Sequence, residues 1–240
     1  MMNTIHIEKQ HVQLIAHRGC SALETENSIP AFTAAGNRTY YGVETDVHCT
    51  ADSGYVVIHD SNTGRVACED IQVEEEPFER VMQIHLRHWS GTRRRDVTVP
   101  ALEDYIGIMA HYEKTAVVEL KSHFSDVQLQ EIVDIIRGMG HLDKTIFISF
   151  NMDNLYRLRG MLPHQPIQFL TDNAITDALI DDLTSHNMDL DAYSPRLTAD
   201  VMAKLKAAGI KVNCWTVDDP AEAQRLIQLG VDFITTNILE

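Results

Sequence analysis

Short apolar runs rich in β-branched residues alternate with longer runs of helical period along most of the chain. Val12–His17, Val43–Val47 and Thr115–Leu120 are predicted strands. Ser28–Arg38 is a predicted helix, because it opens on an N-capping serine and has a proline in its first turn. Repeated βα units predict a parallel sheet with right-handed crossovers. We count about eight strands, which favours a closed barrel over an open sheet.

The other predicted elements continue this alternation. The further strands are Tyr55–His59, Thr145–Ser149, Pro166–Leu170, Met188–Ala192, Ile210–Thr216 and Asp232–Thr236. The further helices are Ala101–Tyr112, Asp126–Met139, Met152–Arg159, Ile175–His186, Ala199–Ala208 and Pro220–Leu229. Residues 60–99 interrupt the pattern, and we interpret them as an insertion whose acidic and basic runs are solvated surface. We therefore expect residues 1–240 to form one domain.

Charge and cysteine usage restrict the partners. The net charge is −15 and the pI is about 5.1, which argues against nucleic acid and against anionic membranes. The four cysteines form no CxxC pair, and scattered thiols are typical of a reducing cytoplasm. The first ten residues contain no apolar signal-peptide core, and no run reaches 18 apolar residues. We expect a cytoplasmic protein without stable membrane insertion; the oligomeric state stays open.

Polar side chains lie where predicted strands end. His17 ends the first strand and Arg18 follows it; Glu119 lies at the end of a later strand and Lys121 follows that one. His59 ends a short strand in the same way. Parallel α/β barrels assemble their sites at the carboxyl ends of strands. These side chains therefore predict a site that combines carboxylates, histidines and cations.

The pair Glu44-x-Asp46 predicts a metal site. Residues two apart in a strand point to one face, and two acids that face a barrel interior are costly unless they are paired or bound to a metal. Mg²⁺ or Ca²⁺ suits oxygen ligands better than zinc does, and Glu119 can complete the set. Lys121 lies on the same face as Glu119 and can balance charge or reach a phosphate. The alternative is a pair of acids on a solvent-facing edge.

Two histidines with near-neutral pKa values can serve as general base and general acid in one reaction. His17 and His59 are the candidates, although a single histidine at a strand end is more often a buried, hydrogen-bonded residue. Arg18, beside His17, can hold a phosphate through two parallel hydrogen bonds. His48 shares the strand face of Glu44 and Asp46, and we expect it near the site without a direct role.

The chain resembles the glycerophosphodiester phosphodiesterase family in a series of short motifs that run in the family's order. The matching pieces are Ala16-His17-Arg18-Gly19, Glu26-Asn27-Ser28, Glu44-x-Asp46-Val47, His59-Asp60 with Arg65 after it, Val99-Pro100-Ala101-Leu102-Glu103, Glu119-x-Lys121, Ser149-Phe150, Trp215-Thr216-Val217 and Gly230-Val231-Asp232-x-Ile234-x-Thr236. Each piece is short, but together they cover nearly the whole chain and are specific.

The resemblance implies a TIM (β/α)8 barrel with a small insertion after the second strand. It also implies roles for the residues at the strand ends: a divalent metal, Mg²⁺ or Ca²⁺, held by Glu44, Asp46 and Glu119; an acid/base pair of His17 and His59; and substrate contacts from Arg18, Lys121 and Trp215. The implied reaction is hydrolysis of a small-molecule glycerophosphodiester to sn-glycerol 3-phosphate and an alcohol. Lysophospholipase D, a phosphatidylinositol-type phospholipase and a non-catalytic barrel that binds a phosphate compound are the alternatives.

Three departures from the family pattern bear on these expectations. Thr25 stands where the family often has proline, and Asn237 stands where it usually has aspartate, which argues against a role for position 237. The family commonly continues into a final helix, whereas this sequence ends at Glu240. We therefore expect the barrel to be less well covered next to its first strand, unless the N-terminal segment or another subunit fills the gap.

Overall fold

The computed structural model describes residues 3–88 and 93–240. The strands are β1 (Gln13–Ala16), β2 (Gly42–Cys49), β3 (Tyr55–Val57), β4 (His85–Arg87), β5 (Arg93–Thr98), β6 (Thr115–Leu120), β7 (Thr145–Ser149), β8 (Ile167–Thr171), β9 (Asp189–Tyr193), β10 (Val212–Trp215) and β11 (Phe233–Thr236). The helices are α1 (Ile29–Gly36), α2 (Phe78–Met82), α3 (Leu102–His111), α4 (Asp126–Gly138), α5 (Met152–Met161), α6 (Asp177–Ser185), α7 (Ala199–Ala207) and α8 (Pro220–Leu229). Short 3₁₀ turns occupy Val73–Glu75, Leu142–Lys144 and Ser194–Arg196.

Within the described residues, eight parallel strands form a nearly closed barrel. Their order around the barrel is β1, β2, β6, β7, β8, β9, β10 and β11, and β11 pairs with β1 again. Two backbone hydrogen bonds join β10 and its following loop to β11: Asp232 N–H donates to Val212 O at 2.8 Å, and Val217 N–H donates to Thr235 O at 3.0 Å. The predicted TIM barrel is confirmed, and the helices cover its outer face.

The alternation of β2 places its acids inside the barrel. Val43 and Val47 belong to the main hydrophobic core outside the strand wall, so Glu44 and Asp46 take the opposite face. Tyr105 of α3 ties this strand to β6. Its hydroxyl donates to Val43 O at 2.6 Å and accepts from the N–H of Val117 at 3.1 Å. The two strands that carry carboxylates are thereby held in register by a fully buried side chain.

The predicted strand at Tyr55–His59 is present in shorter form, and it lies outside the eight parallel strands of the barrel. β3 ends at Val57 and runs antiparallel to β2, with Val47 opposite Val57. β2 therefore extends beyond the barrel mouth, and the hairpin returns the chain towards it. The N–H of Ile58 donates to Asp46 O at 3.0 Å. His59 thus reaches the mouth at the end of a returning hairpin, because a tight turn reverses the chain direction.

Residues 60–99 form the predicted insertion after the second strand; of these, residues 89–92 lie outside the described residues. The segment contains α2 and the antiparallel pair β4–β5. It has a small apolar cluster of its own, in which Val81, Ile84 and Leu86 are buried. The acidic run is mainly exposed, although Glu74 accepts a hydrogen bond from Ser122 and lies 3.1 Å from His48 Nδ1. In the basic run Arg94 pairs with Asp96.

The N-terminal segment lies against the end of the chain. Ile5 N–H donates to Ile238 O at 2.9 Å, and Ile7 N–H donates to Glu240 O at 2.8 Å. The Glu240 N–H donates back to Ile5 O at 2.7 Å. The N-terminal segment therefore pairs with the residues that follow the last strand. In residues 3–88 and 93–240 we find no helix with both the length and the apolar character needed to cross a bilayer.

Candidate active site

Three buried carboxylates meet at the barrel mouth. Glu44 and Asp46 come from β2 and Glu119 from β6, where Asp46 and Glu119 are direct neighbours in the strand register. Each offers one oxygen, and these three atoms lie within 4.8 Å of one another. The structure therefore brings together the three acids that the strand pattern and the family resemblance select. Such a cluster of hard oxygen donors is a candidate site for a divalent cation.

Two cations lie beside these acids. Lys121 Nζ lies 2.9 Å from a Glu119 oxygen and 3.5 Å from Asp46 Oδ1, and Arg18 Nε lies 3.4 Å from Asp46 Oδ2. Burial would raise the pKa of Asp46, but Arg18 and Lys121 outweigh it and hold that pKa below its usual range. Burial followed by repulsion from Asp46 raises the pKa of Glu44 well above its usual value. Arg18 and Lys121 therefore outweigh the effect of burial on the pKa of Asp46, whereas the pKa of Glu44 stays raised.

The donor set fits a divalent metal. Glu44 Oε1 and Asp46 Oδ1 are buried and lack a hydrogen-bond partner within the described part of the chain. Buried carboxylate oxygens without partners are costly, and Mg²⁺ or Ca²⁺ would satisfy them with the oxygen ligands that these ions prefer. The other oxygen of Glu44 accepts the backbone N–H of Arg18 at 2.9 Å, which orients the carboxylate for this purpose.

Metal-induced stabilisation should grow as the pH rises through about 7. Burial and then repulsion from Asp46 raise the pKa of Glu119 to about 7. Because this pKa is higher in the folded state, the stability that this group contributes falls as the pH rises towards 7. A metal must displace that proton below pH 7 and finds the carboxylate ionised above it. We expect Ca²⁺ or Mg²⁺ to raise the melting temperature more at pH 8 than at pH 6, measured against EDTA at each pH.

The control for this measurement is Glu119→Gln, which keeps the side-chain volume but carries no titrating carboxyl. Its metal-induced shift should be smaller than that of the wild type and should change less between pH 6 and pH 8. Equal shifts at the two pH values in the wild type would contradict the assignment of Glu119 to the cation site.

His17 is held by an amide. Its Nδ1 lies 2.8 Å from Asn237 Oδ1, and its Nε2 faces the carboxylates, 3.9 Å from Glu44 Oε2. Asn237 Nδ2 donates to Asp218 Oδ2 at 2.7 Å. A carboxylate only accepts hydrogen bonds, so the amide oxygen must face His17. That oxygen also accepts from the Ser21 hydroxyl at 2.6 Å.

This contact fixes the tautomer of His17. Since Asn237 Oδ1 can only accept, Nδ1 of His17 carries the proton and Nε2 presents its lone pair to the site. Burial, and then the neighbouring Arg18, lower the pKa of His17 to about 4. The imidazole is therefore neutral at pH 7. Asn237 thus contacts His17 directly, although the family pattern argues against a role for position 237.

His59 is held by a carboxylate. Its Nδ1 lies 2.6 Å from Asp60 Oδ1, and the other oxygen of Asp60 accepts from Arg65 Nε at 2.6 Å. Arg65 also binds Glu26, which in turn accepts from Arg18 at 2.9 Å. The pKa of His59 lies below its usual value because of burial, with Arg18 and Lys121 adding to the shift and Asp46 and Asp60 opposing it. Nδ1 of His17 therefore contacts a neutral amide, whereas Nδ1 of His59 contacts a carboxylate.

His48 supports the backbone of the hairpin. Its Nε2 lies 3.1 Å from His59 O, and its Nδ1 lies 3.1 Å from a Glu74 oxygen. Since a carbonyl oxygen only accepts, Nε2 is the donor in this contact. His48 therefore lies near the site, as its strand face predicts, and it contacts the backbone of His59.

A compact cavity of about 60 Å³ lies among these residues. Its polar lining includes both candidate histidines, Arg18 and the carboxylates Glu44 and Glu119; its apolar lining includes Ile148, Phe150, Leu170 and Trp215. The Phe150 and Trp215 rings meet edge to face with centroids 5.6 Å apart. Trp215 thus lies beside the candidate site, at the end of β10.

Several residues at the site carried no role in the sequence reasoning. Asn27 Nδ2 donates to Asp46 Oδ2 at 2.7 Å, and its own oxygen accepts from Thr45 at 2.9 Å. Asn27 belongs to the motif Glu26-Asn27-Ser28, so the family resemblance could have indicated a position at the site. Asp191 lies in the middle of β9 and lines the cavity; the alternation of β9 is a signal for its inward direction. Asp218 accepts from Asn237 Nδ2 at 2.7 Å and from the Thr236 hydroxyl at 3.0 Å.

Comparison with known proteins identifies the family of the chain. A model of the Glycerophosphoryl diester phosphodiesterase family matches residues 17–240. A glycerophosphodiester phosphodiesterase of Caldanaerobacter subterraneus subsp. tengcongensis is 26% identical over 227 residues, which cover 93% of this chain and 93% of the relative. A phosphodiesterase of Oleispira antarctica, solved with the product sn-glycerol-3-phosphate, has a TM-score of 0.86 at 25% identity, covering 94% of this chain and 92% of that chain.

A glycerophosphodiester phosphodiesterase of Parabacteroides distasonis has a TM-score of 0.78 at 28% identity, covering 96% of this chain and 94% of that chain. The family model spans far more than half of the sequence, and these two solved structures share the barrel fold. The chain therefore belongs to the glycerophosphoryl diester phosphodiesterase family, and the protein is a phosphodiesterase.

Proposed function

We propose that the protein hydrolyses glycerophosphodiesters to sn-glycerol 3-phosphate and an alcohol, with a divalent metal and a pair of histidines. The main support is the arrangement of the two histidines beside the three-carboxylate cluster. His17 contacts an amide there, and His59 contacts a carboxylate. The Oleispira antarctica phosphodiesterase with sn-glycerol-3-phosphate bound supports this product class.

His17 is the general base in this proposal. Its Nε2 lone pair faces the site, and its lowered pKa keeps the ring neutral at pH 7. It takes the proton of the attacking oxygen, which belongs to water or to the 2-hydroxyl of the glycerol unit, as that oxygen bonds to phosphorus. In the second case a cyclic phosphate forms, and water opens it in a further step.

His59 is the general acid. Its ring proton passes to the alcohol oxygen as the bond from that oxygen to phosphorus breaks, so the head group leaves as a neutral alcohol. Asp60 lies 2.6 Å from the other ring nitrogen and stabilises the protonated ring before the transfer. Arg65 keeps Asp60 in place from the opposite side.

Arg18 and Lys121 are the candidates for contact with the phosphate. Arg18 Nε is buried and lies 3.4 Å from Asp46 Oδ2, but it makes no hydrogen bond in residues 3–88 and 93–240, so its N–H can donate to a non-bridging oxygen. Arg18 also has a left-handed backbone conformation, with φ of 54°, a strain that commonly persists at functional sites. Mg²⁺ or Ca²⁺ held by Glu44, Asp46 and Glu119 would neutralise charge that develops on the phosphate oxygens.

A product assay tests the proposal. We expect glycerol 3-phosphate to be released from glycerophosphodiesters with choline, ethanolamine, glycerol or inositol head groups. Release should require Mg²⁺ or Ca²⁺ and should stop in EDTA. An enzyme-coupled assay for glycerol 3-phosphate measures this product, and lysophosphatidylcholine as a parallel substrate separates lysophospholipase D activity. Full release in EDTA, or none from any diester with either metal, would contradict the proposal.

A further inference from the structure

Asp191 is a buried acid that the proposed chemistry does not use. It lies in the middle of β9 and is 2% exposed. It lines the same cavity as the histidines and Trp215. The three cation-site carboxylates come from other strands, and Asp191 lies outside their cluster. A carboxyl group in this position needs a partner, because burial removes it from water.

One oxygen of Asp191 is held firmly. Its Oδ2 accepts a hydrogen bond from Asn213 Nδ2 at 3.0 Å. Asn213 cannot reverse its amide, because Asn213 Oδ1 already accepts from Cys214 N–H at 2.8 Å and from the Thr235 hydroxyl at 3.2 Å. The orientation of the Asp191 side chain is thus set by the barrel interior.

The other oxygen is buried and lacks a partner. Within the described residues Asp191 Oδ1 makes no hydrogen bond. Burial, and then the charge of Glu119, raise the pKa of Asp191 well above its usual range. A neutral carboxyl can both donate and accept, so this side of Asp191 suits a group that does the same.

A hydroxyl is the group that fits. The cavity of about 60 Å³ has apolar walls from Ile148, Leu170 and Trp215, which suit a short carbon chain. We propose that Asp191 is a specificity-determining residue that binds a hydroxyl of the glycerol unit through Oδ1. The proposal rests on the proposed function. The proposal holds for both protonation states of Asp191, because a hydroxyl accepts from the protonated acid and donates to the ionised one.

Two phosphate monoesters with the same three-carbon chain test it. sn-Glycerol 3-phosphate carries two hydroxyls that propyl phosphate lacks. We expect the wild type with Ca²⁺ to bind sn-glycerol 3-phosphate about 10- to 100-fold more tightly than propyl phosphate, because a site built for a hydroxyl rejects the analogue without one. Asp191→Leu should reduce that ratio to less than about threefold. Isothermal titration calorimetry measures both dissociation constants.

Asp191→Asn is the matched control, because an amide keeps the shape and still offers a hydrogen bond to a hydroxyl. It should retain most of the preference. A wild type without preference, or Asp191→Leu with the full preference, would overturn the inference. Asp191→Ser, whose side chain is too short to reach, replaces Asp191→Leu if that variant does not fold. Failure of the product assay would instead overturn the proposed function, since the binding ratio is measured without turnover.

Discussion

Replacing His17 by alanine should lower kcat by about 10²- to 10⁴-fold with the fold intact. The Nε2 lone pair of His17 faces the carboxylate cluster, and Asn237 holds the ring in the tautomer that exposes it. Removing the ring deletes the group proposed to take the proton. His59→Ala should have an effect of the same size, because it removes the proposed proton donor to the leaving alcohol.

The measurement is steady-state hydrolysis of glycerophosphocholine, with the melting temperature as the check on folding. His164→Ala is the matched control, because His164 is exposed in the loop before β8 and should leave kcat unchanged. Near-normal turnover in His17→Ala or His59→Ala would show that the acid/base pair is assigned wrongly. A variant that also loses its folding transition would not count as a catalytic effect.

Glu44→Gln should abolish metal-dependent activity, with a loss of about 10³-fold, because a metal contributes several kcal/mol of charge stabilisation to the reaction. The substitution keeps the oxygen that can accept the Arg18 N–H and removes the negative charge. It leaves two carboxylates facing Arg18 and Lys121, so the remaining charge is balanced without a divalent ion. Ca²⁺ should then raise the melting temperature much less than in the wild type.

Glu103→Gln is the control, because this exposed glutamate of α3 undergoes the same chemical change outside the three-carboxylate cluster. It should keep both its activity and its metal response. Activity is measured with Mg²⁺, with Ca²⁺ and with EDTA. A fully active, EDTA-resistant Glu44→Gln variant would remove the metal site from the mechanism.

Local sequence patterns predict the barrel well because they follow local physics. The helix at Ser28 is confirmed in detail, since the Ser28 hydroxyl accepts the N–H of Ala31 at 3.3 Å. The inward direction of Glu44 and Asp46 follows from the two-residue period of a strand. The run Tyr55–His59 predicts a strand but not its antiparallel pairing with β2, because strand propensity says nothing about which neighbour a strand pairs with or in which direction.

What the sequence alone determined is therefore the alternation that builds the barrel and the residue types at its strand ends. What only the tertiary structure decided is which side chain forms a hydrogen bond with His17 and which with Asp191. Asn237 is 220 positions from His17, and Asn213 is 22 positions from Asp191. The character of each histidine depends on whether an amide or a carboxylate contacts its second nitrogen. Barrel closure brings Asn237 to His17 and Asn213 to Asp191, which no short motif relates. Asp60, in contrast, follows His59 directly in the sequence.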